Sequence, residues 1–207
     1  MAIIKSRHRP FFTWFFRVYS IQMIRWHFRK VTIHGKFMDR GLPVMLIGNH
    51  FSWWDGFIAN FLNIRVFRRK FHVMMLEDQL DSRMFLNKAG AYSIKRGSRS
   101  VIESMQYTVD LLSNAENLVV LYPQGVFESQ YRRPVRFEKG VDTIAARVTN
   151  EVHLVFYAAL LDYFSSRKPS LSVYLREVPR EIALSPGSIE SAYNTFLSQC
   201  TWQQKPE

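Results

Sequence analysis

Three runs of apolar residues, almost free of polar interruption, constrain the fold of this chain more than any other feature. A strand buried on both faces has such a run, whereas a strand with one face in water alternates between apolar and polar residues. Strands buried on both faces are typical of parallel sheets that helices cover on each side. The runs are PVMLIGN (43–49), NLVVLYPQG (117–125) and VHLVFYAAL (152–160), and FHVMML (71–76) is predicted as another strand.

Segments with helical signals alternate with these runs, and this order predicts an α/β fold with a mainly parallel central sheet flanked by helices. A capping box, Ser100-x-x-Glu103, predicts the start of one helix. Its apolar face would carry Val101, Met105, Val109 and Leu112. Other predicted helices are DGFIANFLNI (55–64), SRMFLNKAG (82–90), the residues after Gly140 and SIESAYNTFLSQC (188–200). Further strands are predicted at VTIHG (31–35), AYSI (91–94) and, at a sheet edge, LSVYLREV (171–178).

The first 38 residues contain no Asp or Glu but many Lys and Arg. Pro10 suits the first turn of a helix, and its polar residues then form a narrow stripe that includes Ser20. A membrane-spanning helix needs about 20 residues with almost no charge, and Arg17 and Arg25 break that pattern. The segment therefore predicts an amphipathic helix in a membrane interface. Packing against the domain's own core is the alternative. The expected membrane-contact residues are Phe11, Phe12, Trp14, Phe15, Arg17, Arg25 and Trp26.

The chain of 207 residues is thus divided into a basic amphipathic region, 1–38, and an α/β domain, 39–207. Its net charge of +11 and its 15% aromatic content indicate an anionic partner, either a membrane surface or nucleic acid. Nucleic acid is the less favoured partner, because the densest cationic segment is also the most apolar. The single cysteine, Cys200, excludes an internal disulfide, and the histidines lack paired ligand spacing, so no metal is expected.

The segment LIGNHFSWWDGF (46–57) places His50 and Asp55 where a buried strand ends. Inside one helix, the two side chains would point about 140° apart. They can meet if His50 lies in the turn and Asp55 lies in the first helical turn, with Ser52 as N-cap and Asp55 at position N3. Two interpretations remain open: a His–Asp dyad in which His50 is a general base, or a simple capping pair beside an ordinary turn histidine.

Three further polar positions also follow predicted strands. Arg96 comes after the strand at 91–94, and Gln124 and Gly125 come after the strand that begins at Asn117 and breaks at Pro123. In open α/β sheets, ligands bind beyond the carboxyl ends of the strands. We therefore expect His50, Arg96, Gln124 and Gly125 to converge there.

Four blocks in this order, NHFSWWD, GAYSIKR, YPQG and RFEKG, resemble the glycerolipid acyltransferases of the lysophosphatidic acid acyltransferase (PlsC-like) type over residues 32–176. The resemblance implies that His50 and Asp55 are the catalytic pair. It implies that Arg96 contacts an acceptor phosphate, with Gln124 and Gly125 in the acceptor site. Backbone N–H groups near Gly125 are candidates for stabilising an oxyanion. Phe137 and Gly140 match a further phenylalanine and glycine of the family.

The implied activity is acyl transfer from acyl-CoA or acyl-carrier protein to the hydroxyl of a lysolipid acceptor, without an acyl-enzyme. No metal or bound cofactor is implied. The expected partners are membrane lipids and the two co-substrates, with no nucleic acid. The family's membrane-associated, two-helix N-terminus agrees with residues 10–30. We expect a peripheral protein on the cytoplasmic face of a membrane, the bacterial inner membrane.

The third block departs from the family, whose usual sequence is Phe-Pro-Glu-Gly-Thr-Arg. Here Gln124 replaces the acid and Phe127 replaces the phosphate-binding arginine. These changes predict an acceptor that depends less on a phosphate. His153 stands where the fourth block has proline, and we expect it to be a hydrogen-bonded core residue. Candidates to replace the lost arginine are Arg99, Arg132, Arg133 and Arg136.

Two alternatives within related classes remain. A degenerate family member would bind lipid without turning it over. The late acyltransferases of lipid A synthesis resemble a His-x4-Glu pattern, not the His-x4-Asp pattern found here. The basic cluster 65–70 is expected to face solvent, lipid headgroups or an acidic carrier protein. Trp53 and Trp54 are expected to pack or to lie at the membrane edge, with a wall for the acyl chain as the alternative.

Overall fold

The computed structural model describes residues 3–97, 99–179, 181–182 and 187–205. Its centre is a seven-stranded sheet in the order β1-β7-β6-β2-β5-β3-β4, parallel except for the β6–β7 pair. The predicted α/β class with a mainly parallel sheet is confirmed. The strands are β1 Val31–His34, β2 Val44–Gly48, β3 Lys70–Leu76, β4 Ala91–Ile94, β5 Asn117–Leu121, β6 His153–Asp162 and β7 Ser170–Val178.

Strand β7 is not at the edge of the sheet, and that prediction is wrong. It alternates in sequence, but β1 pairs along its outer side in parallel register, from Val31 opposite Leu171 to His34 opposite Tyr174. The edges among the described strands are β1 and β4. Because β1 belongs to the sheet, the first segment of the predicted division, 1–38, contributes a strand to it.

Six α-helices lie in the described part of the chain. They are α1 Pro10–His27, α2 Asp55–Leu62, α3 Glu77–Asp81, α4 Ser100–Leu111, α5 Gly140–Arg147 and α6 Ser188–Trp202. A π-helical turn, Asn63–Phe67, follows α2 directly. The helix predicted over 82–90 is wrong in position: α3 precedes it, and only a 3-10 turn, Asn87–Ala89, lies within it. That turn ends at Gly90, whose φ of 114° favours glycine.

Helix α4 differs from its prediction in its start and in its buried face. Ser100 is its first helical residue and not its N-cap. The buried face carries Ser104 and Thr108, which hydrogen bond to β4: Ser104 Oγ donates to Ser93 O at 2.8 Å, and Thr108 Oγ1 lies 2.7 Å from Tyr92 Oη. Small hydrogen-bonded side chains let the helix approach the sheet closely, which an apolar periodicity could not predict.

Two hydrophobic cores lie on opposite faces of the sheet. Successive residues of β2 point to opposite faces, so Val44 and Leu46 join α1 and α2, whereas Met45 and Ile47 join the core under α4, α5 and α6. Both faces are therefore covered, which is why β2 is apolar at every position.

Helix α1 packs on α2 through small polar groups and leaves most of its aromatic side chains outside. Ser20, which the sequence places in a polar stripe, is 1% exposed, and Asn60 Nδ2 donates to its Oγ at 2.9 Å. Asn60 also donates to Phe16 O at 3.1 Å. The helix is single and continuous, where the resemblance implies two helices. Of the predicted membrane-contact residues, only Phe12 is half-buried and the others are exposed: Phe11, Trp14, Phe15, Arg17, Arg25 and Trp26. No helix among the described residues is both long and apolar enough to cross a bilayer.

Candidate active site

His50 lies at the carboxyl edge of the sheet, two residues after the end of strand β2. The strand ends at Gly48, and the next side chain, Asn49, takes over its pairing with β6. Asn49 Nδ2 donates to Ala159 O at 2.8 Å, and Ala159 N–H donates to Asn49 Oδ1 at 2.9 Å. This buried amide copies the two hydrogen bonds of a strand residue, so the chain leaves the sheet at a fixed position just before His50.

Asp55 organises the turn that follows. Its carboxylate is 1% exposed, and Oδ2 accepts three hydrogen bonds: from His50 Nδ1 at 2.8 Å, Phe51 N–H at 2.8 Å and Ser52 N–H at 3.1 Å. The predicted N-cap is wrong, because α2 begins at Asp55 itself and Trp54 precedes it as N-cap. The carboxylate instead reaches back to the turn. It pairs with His50 and satisfies backbone donors at once, so the two interpretations of this segment do not exclude each other.

This geometry fixes the proton on the imidazole. Since the carboxylate accepts from Nδ1, a neutral His50 ring carries its hydrogen there and presents an unprotonated Nε2. Burial raises the pKa of Asp55, while the hydrogen bond from His50 and those from the turn oppose that rise. Among the described residues, none hydrogen bonds to His50 Nε2, and His50 lines the large cavity of the protein. The dyad can therefore accept a proton from a group in that cavity.

Two aromatic rings contact the imidazole. Tyr122 stacks on His50 with ring centroids 4.5 Å apart and planes 18° apart, and the Phe127 centroid lies 4.2 Å away. Phe127 is 55% exposed, so the position that carries an arginine in the resembling family here places an apolar ring beside the imidazole. Position 127 therefore supplies no positive charge next to His50.

The half-buried Tyr122 and the buried Tyr157 support the turn that carries His50 and Asp55. Tyr122 Oη donates to Asp55 O at 2.8 Å, and Tyr157 Oη donates to Tyr122 Oη at 2.8 Å. Burial raises the pKa of both phenols well above the usual value, so both stay protonated at neutral pH. Gly48 makes this packing possible, because a Cβ there would overlap the Tyr157 ring.

The structure brings Arg96 to Gly125, as the strand order predicts. The guanidinium passes so close that a Cβ on Gly125, whose φ is 66°, would overlap Arg96 Nη2. Glu138 lies 3.4 Å from the same nitrogen and partly neutralises it. The N–H of Gly125 donates to Tyr122 O at 3.0 Å within the turn. In the described residues, the N–H groups of Val126 and Phe127 have no protein acceptor and are further oxyanion candidates.

Gln124 does not bind in the acceptor site, and that prediction is corrected. It is 6% exposed, does not line the cavity, and uses both ends of its amide inside the protein. Its Oε1 accepts from His50 N–H at 2.8 Å, and its Nε2 donates to Glu128 Oε2 at 2.7 Å. The buried Gln124 holds the histidine backbone instead.

The cavity has a volume of about 1700 Å³ and contains His50, Arg96 and Gly125 in its wall. None of the four arginines expected to replace the missing one lines it: Arg99, Arg132, Arg133 and Arg136. Lys139, before α5, does line it near Arg96. Sequence reasoning missed Lys139, Tyr122 and Glu128. Tyr122 stood in the third block, but no pattern marked the other two.

The remaining predicted groups lie away from the dyad. His153 is a hydrogen-bonded core residue, as expected: its Nδ1 is 2.7 Å from Glu177 Oε1, and its Nε2 accepts from Arg40 N–H at 3.1 Å. The basic cluster 65–70 lies at the amino end of β3, where Arg69 pairs with Asp39 at 2.5 Å. No group of three potential metal ligands lies in the described ranges.

Comparison with known proteins agrees with this architecture. Residues 30–158 match the model of the family described as Acyltransferase. The solved structure of the 1-acyl-sn-glycerophosphate (LPA) acyltransferase PlsC from Thermotoga maritima superposes with a TM-score of 0.65 at 12% identity, covering 94% of this chain and 81% of that one. No curated protein matches the chain. The fold is that of the PlsC structure. The family model spans more than half of the sequence, so the chain belongs to the acyltransferase family.

Proposed function

We propose that this protein transfers a fatty acyl group from a thioester donor, acyl-CoA or acyl-carrier protein, to the hydroxyl of a lysolipid, with His50 as general base. One observation carries the proposal. The buried carboxylate of Asp55 holds Nδ1 of His50 at 2.8 Å, which leaves Nε2 open to a large apolar cavity. A base beside an apolar cavity suits a substrate that joins a hydroxyl to a hydrocarbon chain.

The chemical steps balance without a protein nucleophile. His50 Nε2 takes the proton of the acceptor hydroxyl, and the oxygen attacks the thioester carbonyl to form a tetrahedral oxyanion. Collapse of that intermediate breaks the carbon–sulfur bond, and the departing thiolate takes the proton back from His50. Asp55 stabilises the charged imidazolium between these steps. The N–H groups of Val126 and Phe127, in the turn after Gly125, are the donors that we assign to the oxyanion, because the N–H of Gly125 itself donates to Tyr122 O.

The cavity offers room for more than one hydrocarbon chain. Its volume of about 1700 Å³ exceeds the roughly 300–1000 Å³ usual for a single small-molecule site. It extends along both faces of the sheet, and we call the two parts the α1-side lobe and the α4-side lobe. The α1-side lobe includes Phe12, Phe16, Phe57, Phe71 and Val73. The α4-side lobe includes Met74, Val101, Met105, Val141 and Ile144. Separate lobes suit a donor chain and an acceptor chain.

The acceptor that we propose depends little on a phosphate group. Glu138 forms an ion pair with Arg96 and partly neutralises its charge. Phe127 occupies the position at which the resembling family has a phosphate-binding arginine. An amino-acid lipid, a glycolipid or another hydroxylated lysolipid fits this site. The alternative is lysophosphatidate, the acceptor after which the Thermotoga maritima enzyme is named. Equal turnover of lysophosphatidate, together with loss of activity in Arg96→Ala, would favour that alternative.

We propose that the exposed aromatic face of α1 rests in the membrane interface. Phe11 and Trp14 are exposed beside cationic residues such as Arg17, a combination typical of interfacial helices. Trp14→Ser should weaken binding to vesicles of anionic phospholipid about tenfold, whereas Trp202→Ser, also exposed but on α6, should leave it unchanged. Equal vesicle binding by the two variants would contradict the proposal that α1 lies in the membrane interface. A peripheral place on the cytoplasmic face of the bacterial inner membrane is part of this proposal.

The test of the activity is release of free thiol from palmitoyl-CoA or palmitoyl-carrier protein in the presence of a panel of lysolipids, with product identified by mass spectrometry. Loss of the charge in Asp55→Asn should lower kcat about 10,000-fold, by analogy with carboxylate loss in other His–Asp pairs. His50→Ala should abolish turnover, whereas His34→Gln, away from the cavity, is the control. Lipid binding without thiol release in the wild type would support the degenerate alternative. Tight binding of nucleic acid without detergent would support the nucleic-acid alternative.

A further inference from the structure

The main chain of His50 is held on both sides by the segment that follows β5. His50 N–H donates to Gln124 Oε1 at 2.8 Å, and His50 O accepts from Glu128 N–H at 2.9 Å. Gln124 Nε2 closes the ring by donating to Glu128 Oε2 at 2.7 Å. Three hydrogen bonds thus join His50, Gln124 and Glu128 in one closed ring, which we call the His50 clamp.

The roles of donor and acceptor in the His50 clamp cannot be interchanged. The N–H of His50 needs an acceptor, and the Glu128 carboxylate needs a donor, so position 124 must supply one of each. An amide does this, whereas a carboxylate does not. Arg132 Nη1 lies 2.9 Å from Glu128 Oε1 and forms an ion pair with this carboxylate. A glutamate at 124 would set two buried carboxylates side by side, and one would have to hold a proton.

We infer that Gln124 and Glu128 are a matched pair of positioning residues, which orient His50 so that Nδ1 meets Asp55 and Nε2 faces the cavity. The inference rests on the proposed role of His50 as base. It also accounts for the amide at position 124, where the resembling family has an acid: the carboxylate of this site has moved to Glu128. The altered third block is then a compensated exchange and not a sign of degeneration.

The test first adds a carboxylate at position 124 and then, in a double variant, also removes the carboxylate at position 128. Gln124→Glu should lower kcat about 100-fold at pH 8, the size expected when a catalytic group is displaced by about 1 Å. Activity should recover as the pH falls, because protonation of one carboxyl restores a donor to the clamp. In the double variant Gln124→Glu/Glu128→Gln, both hydrogen bonds can form again. We expect it to return to within about threefold of the wild type at pH 8, with no acid requirement.

The matched control is another amide–carboxylate pair four residues apart. Gln106 Nε2 donates to Asp110 Oδ1 at 3.0 Å on the exposed face of α4, outside the cavity wall. Gln106→Glu brings the same like charges together without touching His50, so its kcat should match the wild type at every pH. A melting temperature for each variant separates misfolding from mispositioning.

Two results would overturn the inference: a Gln124→Glu variant with the wild-type pH profile, or a double variant no more active than Gln124→Glu. If Gln124→Glu fails to fold, recovery of fold and activity in the double variant remains a decisive measurement, and its failure contradicts the pairing. An inactive wild type would instead contradict the proposed function. The two failures are therefore distinguishable.

Discussion

The buried histidine of β3 predicts a loss of stability in mild acid. His72 is 2% exposed, Ser6 Oγ lies 3.0 Å from its Nδ1, and Asn117 Oδ1 lies 3.3 Å from its Nε2. Burial, with the neighbouring ring of His8 4.7 Å away, lowers the pKa of His72 to about 3. In the unfolded chain this pKa returns to about 6.5.

The sign and size of the effect follow from these two values. The folded protein binds fewer protons at His72 than the unfolded chain between pH 6.5 and pH 3. Its contribution to stability is therefore complete above pH 6.5 and is lost as the pH falls. Each unit below pH 6.5 costs about 1.4 kcal/mol, so the free energy of unfolding should fall by about 2 kcal/mol between pH 7.5 and pH 5.

The assay is urea denaturation at pH 7.5 and pH 5 of the wild type and of His72→Gln. The variant cannot gain a proton at this position, so its loss of stability in acid should be smaller than that of the wild type by about 2 kcal/mol. His27→Gln, at the exposed end of α1, is the control and should keep the wild-type pH dependence. An identical pH dependence in the wild type and His72→Gln would refute the reasoning.

Three further changes test other parts of the structure. Gly48→Ala should destabilise the fold by about 1–3 kcal/mol in chemical denaturation, because the added methyl meets the buried ring of Tyr157 below the turn at His50. In the α4-side lobe, Val101→Phe should lower kcat/KM about tenfold for one long-chain substrate but not for its short-chain analogue. Ile102→Phe, exposed on the same helix, should change neither value, and equal effects would argue against that lobe. His153→Ala should cost about 1–3 kcal/mol, because it leaves Arg40 N–H without its acceptor Nε2, whereas Glu177 keeps its ion pair with Arg40. The kcat of the folded variant should stay unchanged, and a loss of kcat would contradict a purely structural role.

The sequence predicted those features that depend on local pattern. The apolar runs predicted the parallel strands, and the strand ends predicted that Arg96 and Gly125 would meet near His50. The polar residues on the buried face of α4 were not predicted. Ser104 and Thr108 can be buried there because their hydroxyl groups hydrogen bond to Ser93 and Tyr92 of β4, and an apolar pattern does not indicate such partners.

Contacts between residues far apart in sequence were not predicted for a different reason. Glu128 reaches His50 across 78 positions of sequence, and its distance from the dyad depends on the path of a loop without periodicity. The sequence places Gln124 in the acceptor site because it follows a predicted strand, next to Gly125 in the third block. Its side chain turns the other way, and no signal in a single sequence reports that direction.

The aromatic side chains of α1 continue as a row of neighbouring rings toward the turn at His50. The row runs Phe11, Phe15, Tyr19, Phe57 and Trp53, with neighbouring centroids between 4.6 and 6.3 Å apart. If this row marks the depth of insertion, the acceptor reaches the turn by lateral diffusion within one leaflet. The rate would then follow the mole fraction of lysolipid in the vesicle surface and stay constant when vesicles of fixed composition are diluted with detergent-free buffer, provided that the protein remains bound.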